Sequence, residues 1–230
     1  MKTLIVIPAY NESECIVATV ESVVAAGYDY VVVNDGSTDN TLQICREHGF
    51  NVLDLPENLG IGGAVQSGHK YAYRNGYDVD IQFDGDGQHD IDCVPLLLQK
   101  IEAGADLAIG SRFLVPQDGF KSTFMRRVGI KWLSAIIKLL TGKKVTDPTS
   151  GFRATSGKAL ELFASDYPTD YPEPESIVTV LKQGLEVQEV QVVMHERQGG
   201  SSSIGALSAV YYMVKVTLAM LITGLGKQGR

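Results

Sequence analysis

Short β-branched runs alternate with helical patterns over the first 110 residues. This alternation constrains the fold most, because it builds βαβ units and a mostly parallel sheet. Thr3–Ala9, Tyr30–Asn34, Asn51–Leu55, Val79–Phe83 and Leu107–Ile109 read as strands. Asn11, followed three residues later by Glu14, reads as a capping box that opens a first helix, and Gly27 closes it. Residues 60–76 read as another helix, glycine-rich at its start. In an open parallel sheet ligands collect at the carboxyl ends of the strands. Polar segments stand at those ends: 8–12, 34–39, 84–89 and 110–112.

The sharpest of them is Asp84-Gly85-Asp86. Two carboxylates that leave a buried strand together are too costly unless a cation compensates them. Oxygen ligands of this kind suit Mg²⁺ or Mn²⁺, which bridge one or two protein carboxylates to substrate phosphates. Gln88 is a candidate third ligand. The competing use of Asp-Gly is a turn between two strands, and it fits less well because a helical pattern follows the fourth strand. Asp35, beside Gly36 and Ser37, can accept hydrogen bonds from the hydroxyl or imide donors of a nucleotide, while Thr38 or Asp39 caps the next helix. Gly60, Gly62 and Gly63 lack the dinucleotide-binding spacing, which excludes a Rossmann cofactor site.

The formal net charge of −7 argues against a general nucleic-acid partner. Charge is uneven, however. Between Asp118 and Asp147 stand Lys121, Arg126, Arg127, Lys131, Lys138, Lys143 and Lys144 with no acidic residue, so that segment suits an anionic partner. Cys15, Cys45 and Cys93 form neither a zinc pattern nor a disulfide framework and fit a reducing compartment. The apolar run Leu4–Ile7 is too short for a signal-peptide core, which predicts a protein that stays inside the cell.

Val6-Ile7-Pro8-Ala9-Tyr10-Asn11-Glu12, residues 34–39, Asn58-Leu59-Gly60 and residues 84–89 together resemble family-two glycosyltransferases of the GT-A fold. Gly110-Ser111-Arg112, the run from Asp147 to Arg153, and Arg197-Gln198-Gly199-Gly200-Ser201 further resemble the dolichol-phosphate mannose synthase and polyprenyl-phosphate glycosyltransferase branch. The likeness covers about residues 4–203. It implies an α/β GT-A domain over 1–203, with 204–230 as a C-terminal addition. It also implies that Pro8, Tyr10, Glu12, Asp35 and the Asp84-Gly85-Asp86 run contact the nucleotide sugar. Asp84, Asp86 and Gln88 would hold Mg²⁺ or Mn²⁺, and Arg112, Arg127, Arg153 and Arg197 would face donor or acceptor phosphates. The family usually has alanine where Gly85 stands, and a lysine where the run Ser201-Ser202-Ser203 has none. The segment Tyr167–Glu175, with Pro-Glu-Pro-Glu at 172–175, has no counterpart in that pattern and is a candidate for shaping acceptor choice.

The expected chemistry is an inverting displacement that moves a hexose from a UDP- or GDP-linked donor to a polyprenyl phosphate at the cytosolic membrane face. Asp86 and Arg112 are the expected catalytic residues. A phosphate acceptor is already ionised and needs positioning, whereas a hydroxyl acceptor, as in glycan extension, needs a carboxylate base. Asp147 is the candidate base by resemblance, with a turn or cap before Pro148 as its other reading. A sugar nucleotidyltransferase would carry a glycine-rich, arginine-containing loop after the first strand, and 8–12 is no such loop.

At 100° per residue the stretch Phe124–Leu140 places Arg127, Lys131, Ser134 and Lys138 on one stripe and Val128, Trp132, Leu133, Ile136, Ile137 and Leu140 around the rest. Such a basic amphipathic helix suits an anionic bilayer surface; its alternative is packing on the sheet with solvated lysines. Ile204–Leu225 is long enough to span a bilayer, but Lys215 near its middle would cost about 3 kcal/mol there. A surface helix or an oligomer contact is the expectation.

Overall fold

The structure, a computed structural model, describes residues 1–115, 124–194 and 206–226. Seven strands, β1 (Thr3–Ala9), β2 (Asp29–Asn34), β3 (Val52–Asp54), β4 (Val79–Gln82), β5 (Leu107–Ser111), β6 (Arg153–Ser156) and β7 (Val187–Gln191), form one sheet in the order β3-β2-β1-β4-β6-β5-β7. Only β6 runs antiparallel to its neighbours, β4 and β5. The five strands expected from sequence are present, β1 with the expected ends and the other four with shifted ones; β6 and β7 are additions.

Helices α1 (Ile16–Ala25), α2 (Thr41–Glu47), α3 (Gly60–Arg74), α4 (Val94–Glu102), α5 (Phe124–Thr141), α6 (Gly157–Ser165), α7 (Pro172–Lys182) and α8 (Ala206–Leu225) cover the sheet. Alternation along β1 divides the core. Ile5 and Ile7 pack with Ile16, Val20 and Val23 of α1 and Leu97 of α4. Leu4 and Val6 face Ala64 and Ala72 of α3 on the other side.

A third cluster joins Leu107 and Ile109 to Leu133 and Ile137 of α5, Ile177 and Val180 of α7, and Val216 and Met220 of α8. Both basic and apolar C-terminal helices therefore pack on the domain with one face each. Trp132 Nε1 donates to Thr217 Oγ1 at 3.1 Å, Lys215 pairs with Asp170 at 2.7 Å, and Thr223 Oγ1 donates to Glu175 Oε1 at 2.7 Å. Lys215 thus sits in an ion pair. Among the described residues no helix is long and apolar enough to cross a membrane.

The expected capping box is not formed. α1 begins at Ile16, after Cys15, with no side-chain cap. Asn11 instead has φ 58°, a left-handed conformation that asparagine tolerates better than most residues. From there it caps a neighbouring loop.

Candidate active site

The loops that follow β1 and β2 are stitched together. Asn11 Oδ1 accepts from the backbone N–H of Thr38 at 2.8 Å and of Asp39 at 3.2 Å, and Asn11 N donates to Ser37 Oγ. Glu12 N donates to Thr41 Oγ1 at 2.9 Å. Asp39 Oδ1 accepts from Thr41 N at 2.9 Å, a local turn just before α2, whose N-cap position is Asn40 and has no side-chain cap, so neither Thr38 nor Asp39 is the N-cap residue expected. Asp35 is buried, and its Oδ1 accepts from Leu59 N at 2.7 Å. Burial raises its pKa, and the Leu59 and Gly60 N–H groups pull the other way. Gly36 has φ 64°, and a Cβ there would lie 2.7 Å from Asn58 N, so the turn admits glycine alone. Pro8 is buried beneath this cleft, Glu12 is partly buried, and the ring of Tyr10 is exposed at its rim.

The tip of β4 lies alongside. Asp84 is about one-third exposed, and its Oδ1 accepts from Gln82 Nε2 at 3.0 Å. Asp86 is 7% exposed and accepts from Gln88 N at 3.1 Å. His89 Nδ1 accepts from Asp84 N at 3.0 Å, which places the ring proton on Nε2, 3.5 Å from Asp84 Oδ2. Burial lowers the His89 pKa, against the pull of Asp84 and Asp86, and the ring stacks on Phe152 with centroids 4.8 Å apart. A histidine without an assigned role in the sequence therefore orients Asp84. A Cβ on Gly151 would meet Asp84 Oδ2 at 3.0 Å, so residue 151 must be bare for that carboxylate to keep its place. Among the described residues no group of three or more His, Cys, Asp or Glu forms a complete metal cage. Two carboxylates at a cleft edge are instead the donor set of an ion that keeps waters and takes substrate phosphates, and Asp84 and Asp86 fit it.

Opposite stands Arg112, just after β5. Its Nε and Nη2 each reach an oxygen of Asp147 at 2.7 Å, and Nη2 also donates to Thr149 Oγ1 at 3.0 Å. Arg112 is 7% and Asp147 0% exposed. With both carboxylate oxygens bound to one guanidinium, Asp147 anchors Arg112, and the expectation of a free base is corrected. Glu189 of β7 supports this pair by accepting from Thr146 N, Thr146 Oγ1 and Asp147 N at 2.7 to 2.9 Å. Glu189 lies in a strand that the sequence reading missed.

Arg153 differs from expectation. It is 1% exposed, and its guanidinium donates to the Ser150 and Glu173 carbonyls and to Ser176 Oγ. It braces loops inside the protein and does not face an acceptor phosphate. On α5 Arg127 is exposed, and the neighbouring Arg126 carries the electrostatic coupling to Arg112, Asp147 and Tyr212. Arg126 is exposed as well, so neither arginine is buried against the Arg112–Asp147 pair. Arg197 lies outside the described residues.

A mostly parallel sheet with polar loops and an acidic pair at the same strand ends is the architecture of GT-A glycosyltransferases. The chain belongs to glycosyl transferase family 2, whose model matches residues 4–163. It is 32% identical to the UDP-N-acetylglucosamine–dolichyl-phosphate N-acetylglucosaminyltransferase of Methanococcus voltae, over 82% of this chain and 83% of that one. It is also 32% identical to the polyprenol monophosphomannose synthase of Mycolicibacterium smegmatis, over 94% and 85% of the two chains. The undecaprenyl-phosphate mannosyltransferase of Micrococcus luteus is 29% identical, over 94% and 93%. The fold matches that of Mycobacterium tuberculosis glucosyl-3-phosphoglycerate synthase, crystallised with Mn²⁺, UDP and phosphoglyceric acid, with a TM-score of 0.72 over 99% of this chain and 80% of that one, at 21% identity.

Proposed function

We propose that this glycosyltransferase moves a hexose-type sugar, with inversion, from a UDP- or GDP-linked donor to a polyprenyl phosphate at the cytosolic membrane face. The observation that carries the reading is the placement of Asp84 and Asp86 between the cleft of Pro8, Glu12 and Asp35 and the guanidinium of Arg112. Asp35 accepts hydrogen bonds from the nucleoside while Tyr10 covers its base. Asp84 and Asp86, with Gln88 beside them, would hold the Mg²⁺ or Mn²⁺. When bound, such an ion neutralises the charge that develops on the departing diphosphate. Arg112, kept in place by Asp147 and Glu189, positions the acceptor phosphate together with Arg126. The named acceptors of the relatives support this choice, and glycan extension is the alternative.

The apolar residues left over by packing suit a bilayer surface. Tyr211, Val214, Leu218, Ile222 and Leu225 stand exposed along one side of α8. Val128, Trp132 and Leu139 are exposed on adjacent α5, flanked by exposed Arg127, Lys131 and Lys138. Apolar side chains bordered by cations match an anionic leaflet. A peripheral attachment, weakened by salt, is the expected behaviour.

The test is transfer from radiolabelled UDP-glucose or GDP-mannose to undecaprenyl phosphate with Mn²⁺, with and without chelator. Asp86→Ala is expected to abolish transfer while the protein stays folded. Turnover that persists in this variant, or that ignores chelation, sinks the proposal.

A further inference from the structure

Two of the four residues of β4, Asp80 and Gln82, are polar and buried. Val79 and Ile81 pack into the core on the α1 and α4 side of the sheet, and alternation turns Asp80 and Gln82 to the opposite face. Asp80 Oδ2 lies 2.6 Å from Nδ1 of buried His69 on α3, a partner that accounts for it. Gln82 is 2% exposed, and its Nε2 donates to Asp84 Oδ1 at 3.0 Å. Its own Oε1 finds no donor among the described residues. A buried amide in that state costs the fold free energy, and a β-branched residue, as at Val79 and Ile81, would carry no such cost. Stability therefore does not explain a glutamine at 82, whereas the orientation of Asp84 does.

Carboxylate oxygens of Asp84 accept, so the amide turns its nitrogen toward them. It is held in that position from two sides. Gln82 stands directly opposite Arg153 in the β4–β6 ladder. The Arg153 guanidinium, 1% exposed, donates to the Ser150 carbonyl through Nε at 3.0 Å and Nη2 at 2.6 Å, which fixes the chain just before Gly151. Gly151 then lies against the amide, since a Cβ there would stand 2.8 Å from Gln82 Nε2 as well as 3.0 Å from Asp84 Oδ2. Each oxygen of Asp84 thereby faces its own buried side chain: Oδ1 the amide of Gln82, and Oδ2 the ring of His89 at 3.5 Å.

Resting on the glycosyl-transfer reading, in which Asp84 and Asp86 would hold Mg²⁺ or Mn²⁺, we propose that Gln82 is a positioning residue for that ion. Its N–H fixes the direction in which Asp84 presents its carboxylate at the tip of β4. A neutral donor does so without cancelling the carboxylate charge, which a lysine or arginine at 82 would neutralise. Hydrogen-bond partners that orient a metal ligand in this way set metal affinity by about 10- to 100-fold. The assignment also gives Gly151 a second reason to be bare. The loop that starts at Asp147, the anchor of Arg112, ends by closing over the Gln82–Asp84 contact.

The experiment uses the full chain with UDP and Mn²⁺. Wild type is compared with Gln82→Met, which keeps length and bulk and removes the donor, and with Gln82→Leu, so that either variant that folds suffices. Bound and free Mn²⁺ are read by electron paramagnetic resonance in titrations with UDP present. The Kd for Mn²⁺ should rise about 10- to 100-fold in both variants. The urea midpoint, and UDP affinity measured in chelator, should match wild type. Turnover lost at limiting Mn²⁺ should return as Mn²⁺ is raised, a recovery that a distorted site would not show. A Kd for Mn²⁺ within about threefold of wild type overturns the assignment. So does weakened Mn²⁺ binding that comes with an equal loss of UDP affinity in chelator and is not relieved by excess Mn²⁺, since that marks a structural role. Wild type that takes up no Mn²⁺ with UDP present overturns the metal-dependent reading and the assignment with it, a result distinct from a variant that matches wild type.

Discussion

The two halves of the cleft are built by different physics. On the donor side, backbone geometry decides: Asn11 and Gly36 sit at positive φ, and N–H groups of Thr38, Asp39, Thr41 and Leu59 are fixed by nearby side-chain oxygens. On the other side, long-range side-chain contacts decide: the Arg112 guanidinium pairs with the Asp147 carboxylate, Glu189 accepts from the Asp147 backbone N–H, and Arg153 donates to the Glu173 carbonyl of the α7 turn. A backbone-built site tolerates little change in shape and suits a moiety shared by many enzymes. A side-chain-built site can be re-aimed by single substitutions, which suits the variable acceptor.

If charge governs the acceptor half, Asp147→Asn should be the most damaging change. It keeps size and leaves the nearly buried Arg112 guanidinium without its bidentate partner. Breaking a buried pair in this way costs about 3–5 kcal/mol. Urea unfolding should show a drop of that size, and the folded fraction should still bind UDP, because the donor half is untouched. A loss below about 1 kcal/mol would mean that Arg112 draws its compensation from elsewhere.

The matching test on the donor half is Gly36→Ala. The added Cβ meets Asn58 N at 2.7 Å and Glu57 C at 2.9 Å, at φ 64°. Strain of this kind costs about 1–3 kcal/mol. Because the 57–59 turn must shift to relieve it, UDP affinity measured by calorimetry should fall about tenfold, the equivalent of 1.4 kcal/mol. Unchanged affinity would separate this turn from nucleotide binding.

The same division governs what was legible in the sequence. The donor half is contiguous: β1, β2 and β4 are apolar runs that end in polar tips, and each tip supplies a candidate site residue within a few positions. The acceptor half is assembled from segments up to 80 residues apart, and its pieces look ordinary alone. β6 reads Arg-Ala-Thr-Ser, with little strand propensity, and is held by pairing to β4 and β5. β7 reads Val-Gln-Glu-Val-Gln, partly buried throughout, so it gives no clean alternation. Asp147 is visible as a conspicuous acid, but its ion pair is a tertiary fact. The motif at 11–14 misled because capping-box chemistry and a left-handed asparagine share a residue type.

Asp35 tests whether donor-side function is held against stability. Its native pKa is raised by burial, so the folded state holds the proton more tightly than the unfolded chain, where it leaves at about 3.9. The stability that Asp35 contributes is full below that value and is lost as pH rises through the raised native pKa. Asp35→Asn, which can still accept from Leu59 N, should therefore melt higher than wild type at neutral pH, by less than about 1 kcal/mol. The difference should shrink on acidification. UDP affinity should fall in the same variant. A difference that grows on acidification would reverse the sign assigned here.

Gly85→Ala should do least, although it lies between the two acids of the β4 tip. Its Cβ would stand 3.2 Å from the Pro8 carbonyl, 3.6 Å from Glu12 Cγ and 3.7 Å from Ala9 Cβ, contacts that a few tenths of an ångström relieve. Gly85 is absent from the residues at positive φ, so alanine meets no backbone penalty. The reduced freedom of the unfolded chain contributes about 0.4–1 kcal/mol in its favour, which offsets the tight contact. Stability within about 0.5 kcal/mol and kcat within about threefold of wild type are expected. A loss beyond tenfold with stability intact would mean that the β4 tip slides against the β1 tip during turnover. The donor half would then be a moving part, and the contrast with the acceptor half would be one of timing as well as of construction.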